Sequence, residues 1–237
     1  MIYFVWKWLI IATGCFFILQ GCVIDSEGEL NKQEKETEED VNEQLIQAVE
    51  HKETEMVSRL IKEGVDINIQ DSEGRTATMI ATYNNDATTA KILIDAGADV
   101  NIQDDMKNTP FLFAGAEGYL DILKLTIDAG ADATITNRYG GTALIPASEH
   151  GYVNVVKELL THTDIDVNHV NNLGWTALLE AILLNDGDEK QQQTIQLLID
   201  YGADVNLPDE NNVTPLQHAR EKGFKEIEQI LLKAGAR

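Results

Sequence analysis

The side chains able to do chemistry are few and scattered. The 237-residue chain holds five histidines, two cysteines and 40 carboxylates against 18 lysines and arginines, a formal net charge of −22. Catalysis needs a nucleophile beside a base, and a metal ion needs three or four converging ligands. No phrase of the sequence signals either: there is no G-x-S-x-G elbow, no H-E-x-x-H pair and no phosphate-binding glycine loop. His162 and His169 flank one turn and read as a surface pair rather than a metal site. Asp186, Asp188 and Glu189 gather three carboxylates, but without the spaced twelve-residue pattern of a calcium loop. Beyond Cys15 and Cys22 there is no cysteine, which excludes disulfides, thiol chemistry and Cys-ligated zinc from the rest of the chain. The reading expects no catalytic residue, no metal ligand and no cofactor. The charge also argues against nucleic acid and against lying flat on anionic lipid, since both need clustered Lys and Arg.

What the sequence does instead is repeat itself. "LIKEGVDINIQD", "LIDAGADVNIQD", "LTIDAGADATITN" and "LLIDYGADVNLPD" recur, and Gly64, Gly97 and Gly130 stand 33 residues apart. A second phrase keeps the same register: "GRTATMIA", "KNTPFLFA", "GGTALIPA", "GWTALLEA" and "NVTPLQHA". Thr76, Thr109, Thr142, Thr176 and Thr214 each precede an apolar run, where a hydroxyl can cap a helix by accepting a backbone N–H. Pro110 and Pro215 follow at the first helical position, where a missing N–H costs least. A second helix carries the fuller apolar stripe, as in Val155, Val156, Leu159 and Leu160, and ends on a glycine and an Asp/Asn turn. Lys107 and Asn212 fall in the turn-glycine slot, where Asn tolerates positive φ and Lys is strained. Pro146 falls inside a first helix, within its first turn, where its disruption is modest. "LLTHTDIDVN" lacks the glycine stop, and "NDGDEKQQQ" is inserted between the helices of one unit.

The T-(P/A)-L-x-x-A phrase, the "GYLDILK" and "GYVNVVK" phrases and the "GADVN" ending resemble the ankyrin-repeat family. The resemblance covers roughly residues 41–237 and implies an all-α solenoid of six helix-turn-helix units with β-turn tips: 41–70 (degenerate), 71–103, 104–136, 137–170, 171–208 and a truncated 209–237. In that family the TPLH histidine is structural; here His218 is displaced by one residue in "TPLQHA". Polar outer positions on the first and last units suit capping repeats, so both ends of the stack read as finished.

The N-terminus is different. Lys7 precedes an apolar run from Trp8 to Leu19, which reads as a secretory signal over residues 1–21. Leu19-Gln20-Gly21-Cys22 resembles a bacterial lipobox, and that resemblance implies a lipid on Cys22, a mature chain starting there, and attachment on the extracytoplasmic side of a bacterial membrane. Cys15 lies inside the apolar run without a Leu three residues earlier. The alternative is an uncleaved anchor, for which the run is short of the roughly 20 residues a span needs. Residues 22–40 are acidic with almost no apolar side chain and read as a flexible tether, about 25 Å in r.m.s. length.

The ankyrin resemblance implies non-catalytic protein binding through the turn tips and first helices, by a domain expected to be a monomer. An accessory factor for an extracytoplasmic enzyme or an immunity-type protein is the alternative; an enzyme or metal-dependent sensor is a more distant one. Tip residues Arg138, Tyr139, Leu173 and Trp175, with His150 and Leu183 one layer deeper on the first helices, are the candidate partner site. Tyr139 and Trp175 occupy turn slots in successive repeats and are expected side by side on one rim, and Tyr, Trp and Arg are the residues that anchor interfaces.

Overall fold

The computed structural model describes residues 41–237. The signal segment, Cys22 and the acidic tether lie outside the described residues. Residues Leu45–Arg237 form one compact unit. Helix α1 (41–50) leads into α2 (Thr54–Glu63), and the helices that follow come in pairs: α3 (Ala77–Tyr83) with α4 (Ala87–Asp95), α5 (Pro110–Glu117) with α6 (Leu120–Asp128), α7 (Leu144–Glu149) with α8 (Val153–His162), α9 (Ala177–Leu183) with α10 (Glu189–Asp200), and α11 (Pro215–Lys222) with α12 (Lys225–Lys233). No strand occurs among the described residues beyond an isolated bridge from Gln70 to Thr76.

The pairs stack in register. First helices α3, α5, α7, α9 and α11 each pack on the next, and so do second helices from α2 to α12. This makes two helical layers with the apolar stripes between them. Leu60, Leu93, Leu123, Leu159 and Ile195 come from second helices and Met79, Phe111, Leu144 and Leu178 from first helices, all at most 1% exposed. A lone pair has no partner for such a stripe; stacking supplies one on each side.

Local chemistry sets where each first helix begins. Thr76, Thr109, Thr176 and Thr214 accept the N–H of Met79, Leu112, Leu179 and Gln217 at 3.2–3.3 Å. Each such cap contributes about 1 kcal/mol. Thr142 departs from the expectation: α7 starts after Ala143, and the buried Thr142 hydroxyl has no partner. The cause is Pro146. In the other first helices the residue four after the threonine donates to its carbonyl, as Glu180 does to Thr176 at 3.0 Å. Proline has no N–H to give. Ile145 donates to Thr142 instead, at 3.2 Å, which tightens the turn and removes the capping geometry.

Two other irregular positions behave differently. Lys107 and Asn212 do adopt positive φ, 59° and 61°, in the slot that Gly74, Gly140 and Gly174 fill elsewhere. For Lys107 that conformation costs about 1–2 kcal/mol. The inserted "NDGDEKQQQ" is mostly helix, since α10 begins at Glu189 and runs twelve residues. Asn185 and Gln191 both donate to the Glu149 carbonyl, at 2.6 and 2.8 Å, while Lys222 reaches Asn185 from the other side. The insertion is therefore tied into both neighbours.

A ladder of asparagines joins successive units. Asn68, Asn101, Asn168 and Asn206 accept the backbone N–H of Asp99, Asp132, Asp204 and Arg237 at 2.7–2.9 Å. Thr134 occupies the corresponding place in the third unit and has no amide to offer. The next unit also ends without a glycine: Thr163 caps α8 in extended conformation and turns its hydroxyl back to the Leu159 carbonyl.

Candidate functional site

Each turn tip is built on one side chain. Asp71, Asp104, Asn137, Asn171 and Asp209 each take two backbone N–H groups, from the residues two and four ahead, on a single oxygen. This folds five residues into a rigid bend. In four of the five the remaining atom makes a further contact. Asp71 pairs with Arg75 at 2.7 Å, Asp104 accepts from the Tyr83 hydroxyl, Asn171 donates to Glu180 at 2.7 Å, and Asp209 meets His218 at 2.9 Å.

These links set the charges near the tips. Burial works against ionisation of Asp71, but the bond from Arg75 and two backbone N–H groups hold its carboxyl below the usual range. Asp209 is likewise held low, mainly by the Val213 N–H, with His218 assisting against burial. Burial and the neighbouring Asp104 push the Tyr83 hydroxyl up to about 12. Glu180, 6% exposed, is pushed up to about 7 by burial and by the nearby Glu149 carboxylate, against the stabilising amide of Asn171.

The exposed positions form a pattern. The third residue of successive tips is Glu73, Met106, Tyr139, Leu173 and Asn211. Met106, Tyr139 and Leu173 are 47%, 55% and 53% exposed, so three large apolar side chains stand in one row bounded by polar residues. Packed helix layers lie 8–10 Å apart, which makes the row about 20 Å long. Arg138 braces it: its guanidinium lies 4.8 Å from the Tyr139 ring centroid and 3.3 Å from the Met106 sulfur.

Of the residues expected to form the site, Arg138, Tyr139 and Leu173 share this row. Trp175 falls two places out of the register of Tyr139: counted back from the threonine it matches Gly141, and it is half-buried, with its backbone N–H bound to Asn171 at 3.1 Å. His150 and Leu183 stand at the far ends of α7 and α9, about 10 Å along the helices from the tips. His150 is exposed beside the Tyr152 ring, centroids 5.4 Å apart, and Leu183 is half-buried. Met106 completes the row, and the signal for it was present: it sits three residues before Thr109, as Tyr139 and Leu173 sit before their threonines. The sequence carried no comparable sign that Glu180 is buried.

The histidines and carboxylates singled out in the sequence make local contacts elsewhere. His162 pairs with Glu158 at 3.0 Å, while His169 bonds the Gly140 carbonyl at 2.7 Å, so the two histidines serve separate contacts. Asp188 caps α10 by accepting from Gln191 at 2.9 Å. Among the described residues no three metal-ligating side chains converge.

Known proteins share this organisation. The profile of the family described as "Ankyrin repeats (3 copies)" matches residues 16–104, 45–137 and 111–209. A crystallised ankyrin repeat domain from Acinetobacter baumannii AYE is 49% identical, with a TM-score of 0.80 over 81% of this chain and 98% of that one. The ankyrin repeat protein EF0377 is 38% identical, with a TM-score of 0.79 over 81% of this chain and 98% of that one. The putative ankyrin repeat protein YahD of Escherichia coli K12 is 59% identical over 81 residues, 34% of this chain and 40% of that protein.

Proposed function

Because the chain belongs to the ankyrin-repeat family, whose repeats are protein–protein interaction modules, we propose that it is a non-catalytic domain that captures a protein partner along the tips of its third, fourth and fifth repeats. The observation that carries this is the row Met106, Tyr139, Leu173: three exposed apolar side chains in one slot of three consecutive rigid turns. Monomeric proteins rarely leave such residues contiguous unless something binds them. Because the turns are held by their own hydrogen bonds, little order is lost on docking.

We also place the domain outside the cytoplasmic membrane of a bacterium, as a monomer anchored through lipid on Cys22. The support is the Leu19-Gln20-Gly21-Cys22 phrase behind an apolar run, followed by an acidic stretch suited to a tether. Two acyl chains hold a protein at a bilayer where one gives only reversible binding.

Both parts are testable in the native host. A photo-crosslinking residue at position 139 should trap a discrete adduct, and one at Lys157 on the outer face of α8 should not. Leu173→Asp should abolish the adduct at 139. Equal adducts from both faces would remove the tip row as the binding site. A fatty-acid analogue should label the wild type and not Cys22→Ala; equal labelling would remove the lipid anchor.

A further inference from the structure

The geometry points to an acidic partner segment, one whose apolar side chains recur at the roughly 10 Å tip spacing and whose carboxylates meet Arg138 and Lys107. The inference rests on the tip row being the binding surface and specifies what that surface takes.

One guanidinium on this row has no carboxylate partner among the described residues. In a chain of net charge −22, carboxylates are abundant, and three of the other four arginines pair with one. Arg59 meets Glu63 at 3.8 Å, Arg75 meets Asp71 at 2.7 Å and Arg220 meets Glu228 at 2.7 Å. Arg138 has no carboxylate in ion-pair distance among the described residues; it rests on Tyr139 and Met106 instead. The acids in neighbouring tip slots do not serve it. Glu73 is held by Arg75 at 3.5 Å, and Asp105, in the slot equivalent to Arg138 one tip earlier, is beyond ion-pair reach. A guanidinium has five donors in a fixed fork suited to a carboxylate. Here that fork is held in place, at the row, without one.

Lys107 is the independent observation. It occupies the turn slot where glycine or asparagine stands in the other tips, and it takes positive φ of 59° to do so. Its ammonium makes no ion pair among the described residues. A strained backbone position filled by a side chain with no internal ion pair points to a use outside the chain. Lys107 follows Met106 directly and Arg138 precedes Tyr139 directly, so each cation adjoins one apolar member of the row. The two cations with Met106, Tyr139 and Leu173 form a patch complementary to a segment that alternates carboxylates with apolar side chains. Against the acidic remainder of the molecule, that patch also sets where on the surface such a segment binds.

The test uses the full chain in detergent and a phage-displayed library of random twelve-residue peptides. Wild-type protein should select peptides enriched in Asp and Glu beside Leu, Phe, Tyr or Met. The charge swap Lys107→Glu with Arg138→Glu should weaken the best selected peptide about tenfold and shift a fresh selection toward Lys and Arg. A third protein, Tyr139→Ala with Leu173→Ser, should lose the peptides altogether. If this apolar variant loses them while the charge swap selects the same composition as wild type, the row binds but the acidic class is wrong. If wild type selects basic peptides, or no sequence class, the proposal also falls. If neither variant changes the selected set, the tip row itself is not the binding surface.

Discussion

Helices α7 and α9 pack against each other and grow from nearly the same phrase, "TALIPA" and "TALLEA", yet they start differently. In α9 the Thr176 hydroxyl caps the helix, and Glu180 supplies the N–H that closes the first turn. In α7 the slot of Glu180 holds Pro146, the first turn tightens, and the Thr142 hydroxyl is buried without a partner. The difference shows that a capping threonine works only when the residue four positions on can donate. It also shows what the stack tolerates. Leu144 and Leu178 are equally buried, 0% and 1% exposed, so the apolar layer is continuous across a helix with a poor start.

The largest test of that contrast is at the core. Leu178→Ala and Leu144→Ala should each cost about 2–5 kcal/mol in urea denaturation, by the same transfer and cavity terms. A markedly smaller cost for Leu144→Ala would mean that α7 is held loosely and that its start governs more than the packing does. A denaturation midpoint unmoved by Leu178→Ala would overturn the register of the whole stack.

The next effect belongs to α9 alone. Burial and Glu149 raise the Glu180 carboxyl from its ordinary 4.5 to about 7 in the folded chain. A carboxyl raised on folding favours the protonated native state. Its contribution is complete below about pH 4.5 and is lost as the pH climbs through 7. Glu180→Gln keeps an acceptor for Asn171 and removes the charge. Relative to wild type, it should gain stability progressively from pH 5 to pH 8, on the order of 2–3 kcal/mol at the upper end. A difference between the two proteins that is independent of pH would show that Glu180 is not desolvated.

The smallest test separates the two caps. Thr176→Ala should cost about 1 kcal/mol, while Thr142→Ala should cost little or nothing, because its hydroxyl caps nothing and is unsatisfied. Pro146→Ala should then make a subsequent Thr142→Ala costly by restoring the donor. Equal thermal shifts for Thr142→Ala and Thr176→Ala would break the comparison.

Much of this architecture was legible in advance because each repeat carries its own punctuation. The threonine slots, the paired helices and the strained Lys107 all follow from local backbone needs and a period of 33 residues. What escaped was relational. Thr142 matched its counterparts by type, and only the missing N–H of Pro146 set it apart. Trp175 and Tyr139 both lie in the turns of successive repeats, but counting from each threonine puts Leu173 and Met106 in the slot of Tyr139 instead. The burial of Glu180 depends on Asn171 in its own turn and Glu149 in the preceding repeat, contacts that no single repeat's pattern expresses.

The gap in the asparagine ladder at Thr134 has a mechanical consequence. The tip of the second repeat is bonded to the third from Asp105 N–H to the Glu73 carbonyl, and the fourth to the fifth from Asn172 N–H to the Tyr139 carbonyl. Among the described residues the third repeat, which offers Thr134 in place of an asparagine, also makes no backbone bond from its tip to the fourth; Gln103, donating to the Thr136 carbonyl at 3.0 Å, ties the end of the second repeat to the end of the third. In a solenoid each repeat contacts only its neighbours, so each junction depends on its own links. The row of apolar side chains straddles that joint, with Met106 on one side and Tyr139 and Leu173 on the other. The domain is thus a ruler whose first two marks are joined through side chains, Arg138 on Met106, while the second and third are joined through backbone as well.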